Sequence, residues 1–575
     1  MDDERTTPID HRRLTALGLC LTFGLAVLVA QLVRFQIFGH PEIEDWAQSQ
    51  RELVRIVAPP RGQIADRNGS ILAMNTFQWE ISASPNLVSE PGKLADQLAS
   101  LMNQDRNEIY AKLADDKVWV LLDRFAPQEV GEAVDSLNHP GLICTCRPLR
   151  TYPMDTLAAH VLGFVNQSGD GFYGIEGFYD RWLRGITGTI QIEHDPIGAI
   201  LPRPPNVLRP PKPGTDLVLT LDVNMQHIVQ QELEKALERY DAESGTVIVM
   251  DPKTGAILAM ASIPTYSPND FAEADLELLA DPSVSKMWEP GSVFKIVTWG
   301  AGLDAGIITP KMRVYDQGEM EVGGRTIANS DRKAHGEVTM MEALAKSLNT
   351  IAAYVSTTLG KDRYYTYLRR FGFGDLTGVD LASEGPGILK LPGDSNWYPS
   401  DLGTNSFGQG IAVTPMQMIA AASAVANDGL LMKPHIVQQF ITEDEDNETV
   451  EVTQFEPEIV RQAISKEAAA TLTDMLVEVV ETTATEAQVT GYRIAGKTGT
   501  AQIPTPLGYH AKDTIVSFVG YAPADDPQFI VLVKLDRPKT SRWADRTAAP
   551  AFREIAERVL VYMQIPPDDI RLAQQ

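Results

Sequence analysis

Residues Leu14 to Val33, LTALGLCLTFGLAVLVAQLV, run for twenty positions without a charge. That is the length one membrane-spanning helix needs. Arg5, Arg12 and Arg13 precede the run, and after it Arg34 is the only arginine or lysine before Arg51. This bias predicts a cytoplasmic N-terminus, with everything beyond about residue 37 on the outer side of a single-pass anchor. A cleaved signal peptide would carry a shorter apolar core closed by a small-x-small site, which is missing here, so the anchor is expected to stay uncleaved. No second run of this length appears.

The chain has 575 residues, too many for one core, so two or more domains are expected. Its net charge of −26 argues against nucleic-acid binding, which needs a basic face. The nine histidines show no ligand spacing such as H-E-x-x-H, so neither a metal nor another cofactor is expected. Cys20 lies in the apolar run, and Cys144 and Cys146 would share one face of a strand. All three read as packing residues.

Asn68-Gly69 between two short apolar runs predicts a hairpin turn. Helical patterns follow at Pro91 to Met102 and Asn107 to Leu113. Proline-rich 203–216 reads as a linker or domain boundary. Beyond it, LVLTLDVNMQHIVQQELEKALERY predicts a strand running into an amphipathic helix with Asp222 as N-cap. SGTVIVMDPKTGAILAMAS predicts an antiparallel hairpin, TIVSFVGYAP and QFIVLVKLD two more strands, and APAFREIAERVLVYMQ a closing helix. Strands at both ends with helices between them give an α+β fold around one antiparallel sheet.

Within WEPGSVFKIVTW, Ser292 and Lys295 are three positions apart and should be neighbours at the start of a buried helix. A lysine in an apolar run is costly unless paired or neutral, and a neutral lysine is a general base. The free N–H groups of a helix start can hold an oxyanion. The same S-x-x-K spacing at Ser283/Lys286 and Ser330/Lys333 sits in what read as polar turns, without this setting. Such a catalyst also needs a proton relay and a cationic anchor. S-x-N occurs at Ser84, Ser136, Ser267 and Ser347, and K-T-G at Lys253 and Lys497. Ser347 and Asn349 lie at the exit of a helical run, and Lys497-Thr498-Gly499-Thr500 opens a strand. One ordered set survives: 292/295, 347/349 and 497–500.

These motifs, together with RGQIADRNGSILA, HVLGFVN, GIEGFYDRWLRGITG, TGAILAMASIPTYSPN, SFGQGIAVTPMQM and SFVGYAP, make the chain resemble a class B penicillin-binding protein over nearly its whole length. The resemblance implies a multidomain α+β architecture. It has a cytoplasmic tail 1–13, a transmembrane anchor 14–36, an elongated α/β pedestal (dimerisation-type) domain 37–215, a transpeptidase domain 216–565 with its antiparallel sheet flanked by helices, and a tail 566–575. It implies a peptidoglycan D,D-transpeptidase that acts on D-Ala-D-Ala stem peptides and is acylated by β-lactams. Ser292 would be the nucleophile, Lys295 its base, Ser347 and Asn349 the proton relay and amide anchor, Lys497 the cation, and Thr498, Gly499 and Thr500 the substrate-binding stretch. The N–H groups of Ser292 and Thr500 would form the oxyanion hole. The short passage to GIEGFYDRW and SFGQGIAVTPMQM resemble division and sporulation members, which implies a SEDS glycosyltransferase and other divisome proteins as partners.

The rival readings are an elongation-type member, a carboxypeptidase or β-lactamase using water, and a non-catalytic β-lactam sensor or scaffold. A pedestal of this size argues against the small hydrolases, and the intact motif set argues against a scaffold. Glu176, Arg67, Tyr152 and Trp288 read as structural.

Overall fold

The computed structural model of the protein describes residues 11–38, 52–193, 206–443, 450–505 and 508–573. Most of the expected tail 1–13 lies outside them. The apolar run forms the helix His11–Val33, continued by a π-helical turn at Arg34–Phe38. Leu17, Leu21, Phe23 and Leu28 are all exposed, and no residue of this helix is buried. A helix that is apolar all round suits lipid rather than water. Among the described residues it is the one helix long and apolar enough to cross a membrane.

The chain divides into two compact units. The first comprises the residues up to Pro59 and Gly185–Pro213. Its strands Glu52–Val57, Gly188–Glu193 and Asn206–Arg209 form an antiparallel sheet with Gly188–Glu193 in the middle. The proline-rich stretch is thus more than a linker. Asn206–Arg209 lies between its proline pairs and keeps the N–H groups that pairing requires.

The second unit comprises Pro60–Arg184 and Gly214–Gln575. One mixed sheet runs Val450–Gln454, Val437–Glu443, Asp216–Leu219, Ile64–Ala65, Ile71–Ala83, Val120–Pro127, with Leu142–Thr151 also paired to Ile71–Ala83. The Asn68-Gly69 turn joins two of these strands. Gly69 takes φ 87°, and the Asp66 carboxylate accepts the N–H groups of Asn68 and Ser70. The fully buried Glu176 is pinned between Arg61 and Arg150, each 2.6 Å away, which bears out its structural reading. Tyr152, Trp288 and the Asp222 N-cap also behave as read. The cysteines differ. Cys144 packs against the small core of this region, but Leu142–Thr151 runs on past it and leaves Cys146 exposed, and Cys20 is exposed on the N-terminal helix.

The site rests on a second sheet, antiparallel throughout, in the order Ile257–Ile263, Ser244–Met250, Phe529–Asp536, Gly508–Ala522, Ala495–Thr505. Its central strands are buried on both faces, so residues 247–250 and 529–533 are continuous apolar runs rather than alternating ones. Residues of opposite parity on Gly508–Ala522 show what covers each face. Phe518 packs on Phe552 of the closing helix Ala548–Tyr562, with ring centroids 4.6 Å apart. Tyr521 instead bonds Thr473 of the helix Lys466–Thr482 through its hydroxyl at 2.8 Å. Behind the latter lie the fully buried helix Pro415–Ala426 and the helix Lys295–Asp304. Residues 566–573 stay docked. Asp568–Ala573 is a short helix whose Arg571 bridges Asp525 and Asp568.

Candidate active site

The turn Gly291–Phe294 feeds the helix Lys295–Asp304. Gly291 has φ 60°, and its N–H donates to the Gly408 carbonyl at 3.1 Å. A side chain there would be strained and would press on the Thr500 carbonyl. Ser292 stays half-buried at the head of the turn, while Lys295 is fully buried one turn on.

The Lys295 Nζ has four oxygen neighbours. They are Ser292 Oγ at 3.1 Å, the Ser347 carbonyl at 2.5 Å, Ser347 Oγ at 3.1 Å and Asn349 Oδ1 at 2.8 Å. Ser347 lies in the break between the helices Met340–Ala345 and Asn349–Leu359, at φ 59°. A non-glycine residue in the left-handed region costs about 1–3 kcal/mol and is held only where its surroundings dictate it. Here that conformation turns both oxygens of Ser347 toward one amine.

Ala495–Thr505 is the edge strand of the sheet, so half its backbone groups face away from it. It lies against the nucleophile turn. A Cβ on Gly499 would sit 2.4 Å from Ser517 Oγ, 2.9 Å from Val293 Cγ1 and 3.0 Å from the Pro290 carbonyl oxygen, so only glycine lets the strand come this close. Lys497 is fully buried, and its Nζ makes only long contacts to Thr498, 3.3 Å to the hydroxyl and 3.4 Å to the carbonyl. Thr498 and Thr500 are half-buried on the open side.

Burial pushes both amines down. Lys295 falls well below the usual lysine range through burial and then repulsion from Lys497. Burial alone brings Lys497 to about 7. Burial and this repulsion both favour the neutral form of the Lys295 amine.

The fold brings Ser292, Lys295, Ser347 and Asn349 into hydrogen-bonding contact and lays the Lys497–Thr500 strand along the same turn. The other copies of the motifs sit elsewhere. Ser283 is fully buried rather than in a surface turn, bonded through its hydroxyl to Ser262 and through its N–H to Asp281. Ser330 is exposed, and Lys253 pairs with Asp526 in the turn of the first hairpin. Two neighbours of the site escape any spacing rule: Asn329 and Asp316, which lie behind Asn349. Among the described residues no cluster of His, Cys, Asp and Glu could hold a metal.

The fold agrees with comparisons to known proteins. Residues 245–557 match the family described as "Penicillin binding protein transpeptidase domain", and residues 56–219 the family described as "Penicillin-binding Protein dimerisation domain". Stage V sporulation protein D of Bacillus subtilis is 35% identical over 520 residues, which is 88% of this chain and 79% of that protein. Peptidoglycan D,D-transpeptidase FtsI of Escherichia coli K12 is 26% identical over 570 residues, 97% of this chain and 92% of that one. The crystal structure of penicillin-binding protein 3 from Mycobacterium tuberculosis, complexed with aztreonam, superposes with a TM-score of 0.69 at 28% identity, covering 89% of this chain and 98% of that one.

Proposed function

The chain belongs to the penicillin-binding protein transpeptidase family, and we propose that it cross-links peptidoglycan stem peptides through an acyl-enzyme on Ser292. The observation that carries this reading is the buried Lys295 amine, which reaches Ser292 Oγ, Ser347 Oγ and Asn349 Oδ1 at once.

Neutral Lys295 accepts the Ser292 hydroxyl proton as Oγ attacks the carbonyl carbon of the penultimate D-Ala. The oxyanion is held by the N–H groups of Ser292 and Thr500. Collapse breaks the C–N bond, and the proton passes from Lys295 through Ser347 Oγ to the departing D-Ala amine. An amine of a neighbouring stem peptide then attacks the ester, gives its proton back along the same path, forms the new amide and frees Ser292. Lys497, with Thr498, Gly499 and Thr500, holds the donor's terminal carboxylate. Asn349 holds its amide, and the extended peptide pairs with the open strand edge. A β-lactam enters by the same attack and, on ring opening, leaves no separate amine.

The similarity to stage V sporulation protein D and FtsI supports a septal role, with a SEDS glycosyltransferase and other divisome proteins as partners. Arg12 and Arg13 before the apolar helix support a cytoplasmic N-terminus and an extracytoplasmic catalytic domain, and the proline-rich stretch 203–216 supports a pedestal ending near residue 215.

A D-Ala-D-Ala peptide offered with an isotopically labelled D-amino acid separates transfer from hydrolysis. Exchange of the terminal residue, read by mass, is the expected result. Release of D-Ala with water as the sole acceptor would instead make the protein a carboxypeptidase.

A further inference from the structure

The helix Asn349–Leu359 begins without a cap of its own, since Leu348 offers no side-chain acceptor. Its first N–H groups would be left without partners. Asn329, twenty residues upstream, supplies the acceptor. Its Oδ1 takes the N–H of Asn349 at 3.0 Å and that of Thr350 at 3.3 Å. Its Nδ2 is anchored in turn, 2.8 Å from Asp316 Oδ2 and 3.1 Å from the Lys333 carbonyl. The Asp316 carboxylate also receives the N–H groups of Gly318 and His335, both at 3.0 Å, and the Thr350 hydroxyl at 2.8 Å. Asp316, Asn329 and Thr350 are 1%, 3% and 4% exposed. The residue before Asn329 completes the clamp. The Ala328 carbonyl accepts Asn349 Nδ2 at 3.1 Å, which turns Asn349 Oδ1 toward Lys295.

We propose that Asn329, locked by Asp316, is a positioning residue for acylation, fixing both the backbone and the carboxamide of Asn349 and through them the Lys295 amine. This rests on the acyl-enzyme reading above. Asn329 is buried behind Asn349 and makes no hydrogen bond to Ser292, Lys295 or Ser347. It acts by deciding where the Asn349 and Ser347 oxygens stand around Lys295, and a displacement of an ångström there costs rate rather than ground-state affinity.

The test is stopped-flow acylation of the full-length chain in detergent by a fluorescent penicillin, separating the non-covalent constant from the first-order acylation step. Asn329→Ala and Asp316→Asn are expected to slow that step about 10- to 100-fold, and to move the non-covalent constant by less than about 3-fold. Glu176→Ala, which breaks a buried ion pair elsewhere in the fold, is the control and should leave the acylation step of the folded fraction unchanged. An acylation step unchanged in Asn329→Ala overturns the proposal. So does an equal slowing in Glu176→Ala, which would mark the effect of Asn329→Ala as a general loosening of the fold. A wild-type chain that takes no adduct on Ser292 overturns the acyl-enzyme reading, and this proposal with it.

Discussion

The Lys295 Nζ lies 2.5 Å from the Ser347 carbonyl oxygen and 3.1 Å from its hydroxyl, a double contact made possible by the left-handed backbone of Ser347. The amine is thus held between the nucleophile and the relay, where only its proton has to move. A base in this position contributes about 10²–10⁴-fold. Lys295→Met should therefore lose at least that much acylation rate while remaining folded, since methionine fills a similar volume. Lys295→Arg should not rescue it, because a guanidinium does not give up its proton. Rescue by arginine would show that Lys295 acts as a fixed charge.

Two lysines buried together set a pH window. The donor carboxylate needs Lys497 charged, which holds below about 7. Attack needs Lys295 neutral, which holds above its own depressed pKa. The non-covalent affinity for a penicillin should therefore weaken as pH rises through about 7. The acylation step should rise on the acid side of that point. Removing a neighbouring cation makes the remaining ammonium easier to keep, so Lys497→Met should move the acid limb to higher pH. A limb that stays put or moves down would contradict the coupling between the lysines.

The same residue has a stability signature. Lys497 holds its proton less well folded than unfolded, so its burial penalises the fold fully below about 7. The penalty is relieved as pH rises toward the ordinary lysine value, because over that range the unfolded chain binds the extra proton. Lys497→Met should melt higher than wild type at pH 7, by a margin that shrinks toward pH 10. A margin independent of pH would mean the gain comes from packing alone.

Gly499 and Ser517 meet across the edge strand. Gly499→Ala places a methyl group 2.4 Å from Ser517 Oγ and 3.0 Å from the Pro290 carbonyl, which forces the strand away from the nucleophile turn. A displacement of this kind should cost about 10- to 100-fold in acylation. Ser517 Oγ is buried without a hydrogen-bond partner among the described residues, so Ser517→Ala should leave stability unchanged or raise it by about 1 kcal/mol. Thermal melting and penicillin labelling of both variants check the two halves.

Glu176 answers for the fold alone. It is fully buried between Arg61 and Arg150. Glu176→Ala leaves the buried Arg150 guanidinium without its carboxylate, while Arg61 keeps Asp180, and should destabilise the protein by about 3–5 kcal/mol. The acylation step of the fraction that remains folded should be unchanged. A selective loss of acylation at unchanged melting temperature would give Glu176 a role the geometry does not support.

Local signals in the chain read true wherever the determining neighbours are close in sequence. The Asp222 cap, the Ser244–Ile263 hairpin, the Asn68-Gly69 turn and the Ser292–Lys295 pair each depend on residues within one turn or one hairpin. What the sequence hides is long-range. Nothing near Asn349 says that its helix is capped by Asn329, and nothing near Ser283 says that a turn of polar residues is buried against Ser262. The proline-rich segment does hold a boundary between the two units, at Pro213/Gly214, but its strand Asn206–Arg209 is hidden, since that pairing is set by Gly188–Glu193 and not by the flanking prolines.

The most direct measurement is the intact mass of the full-length protein in detergent after incubation with a penicillin, beside Ser292→Ala and Ser283→Ala. One covalent adduct per chain, present in wild type and Ser283→Ala and absent from Ser292→Ala, is the predicted result. An adduct that survives Ser292→Ala, or a folded wild-type protein that takes none, would contradict Ser292 as the nucleophile.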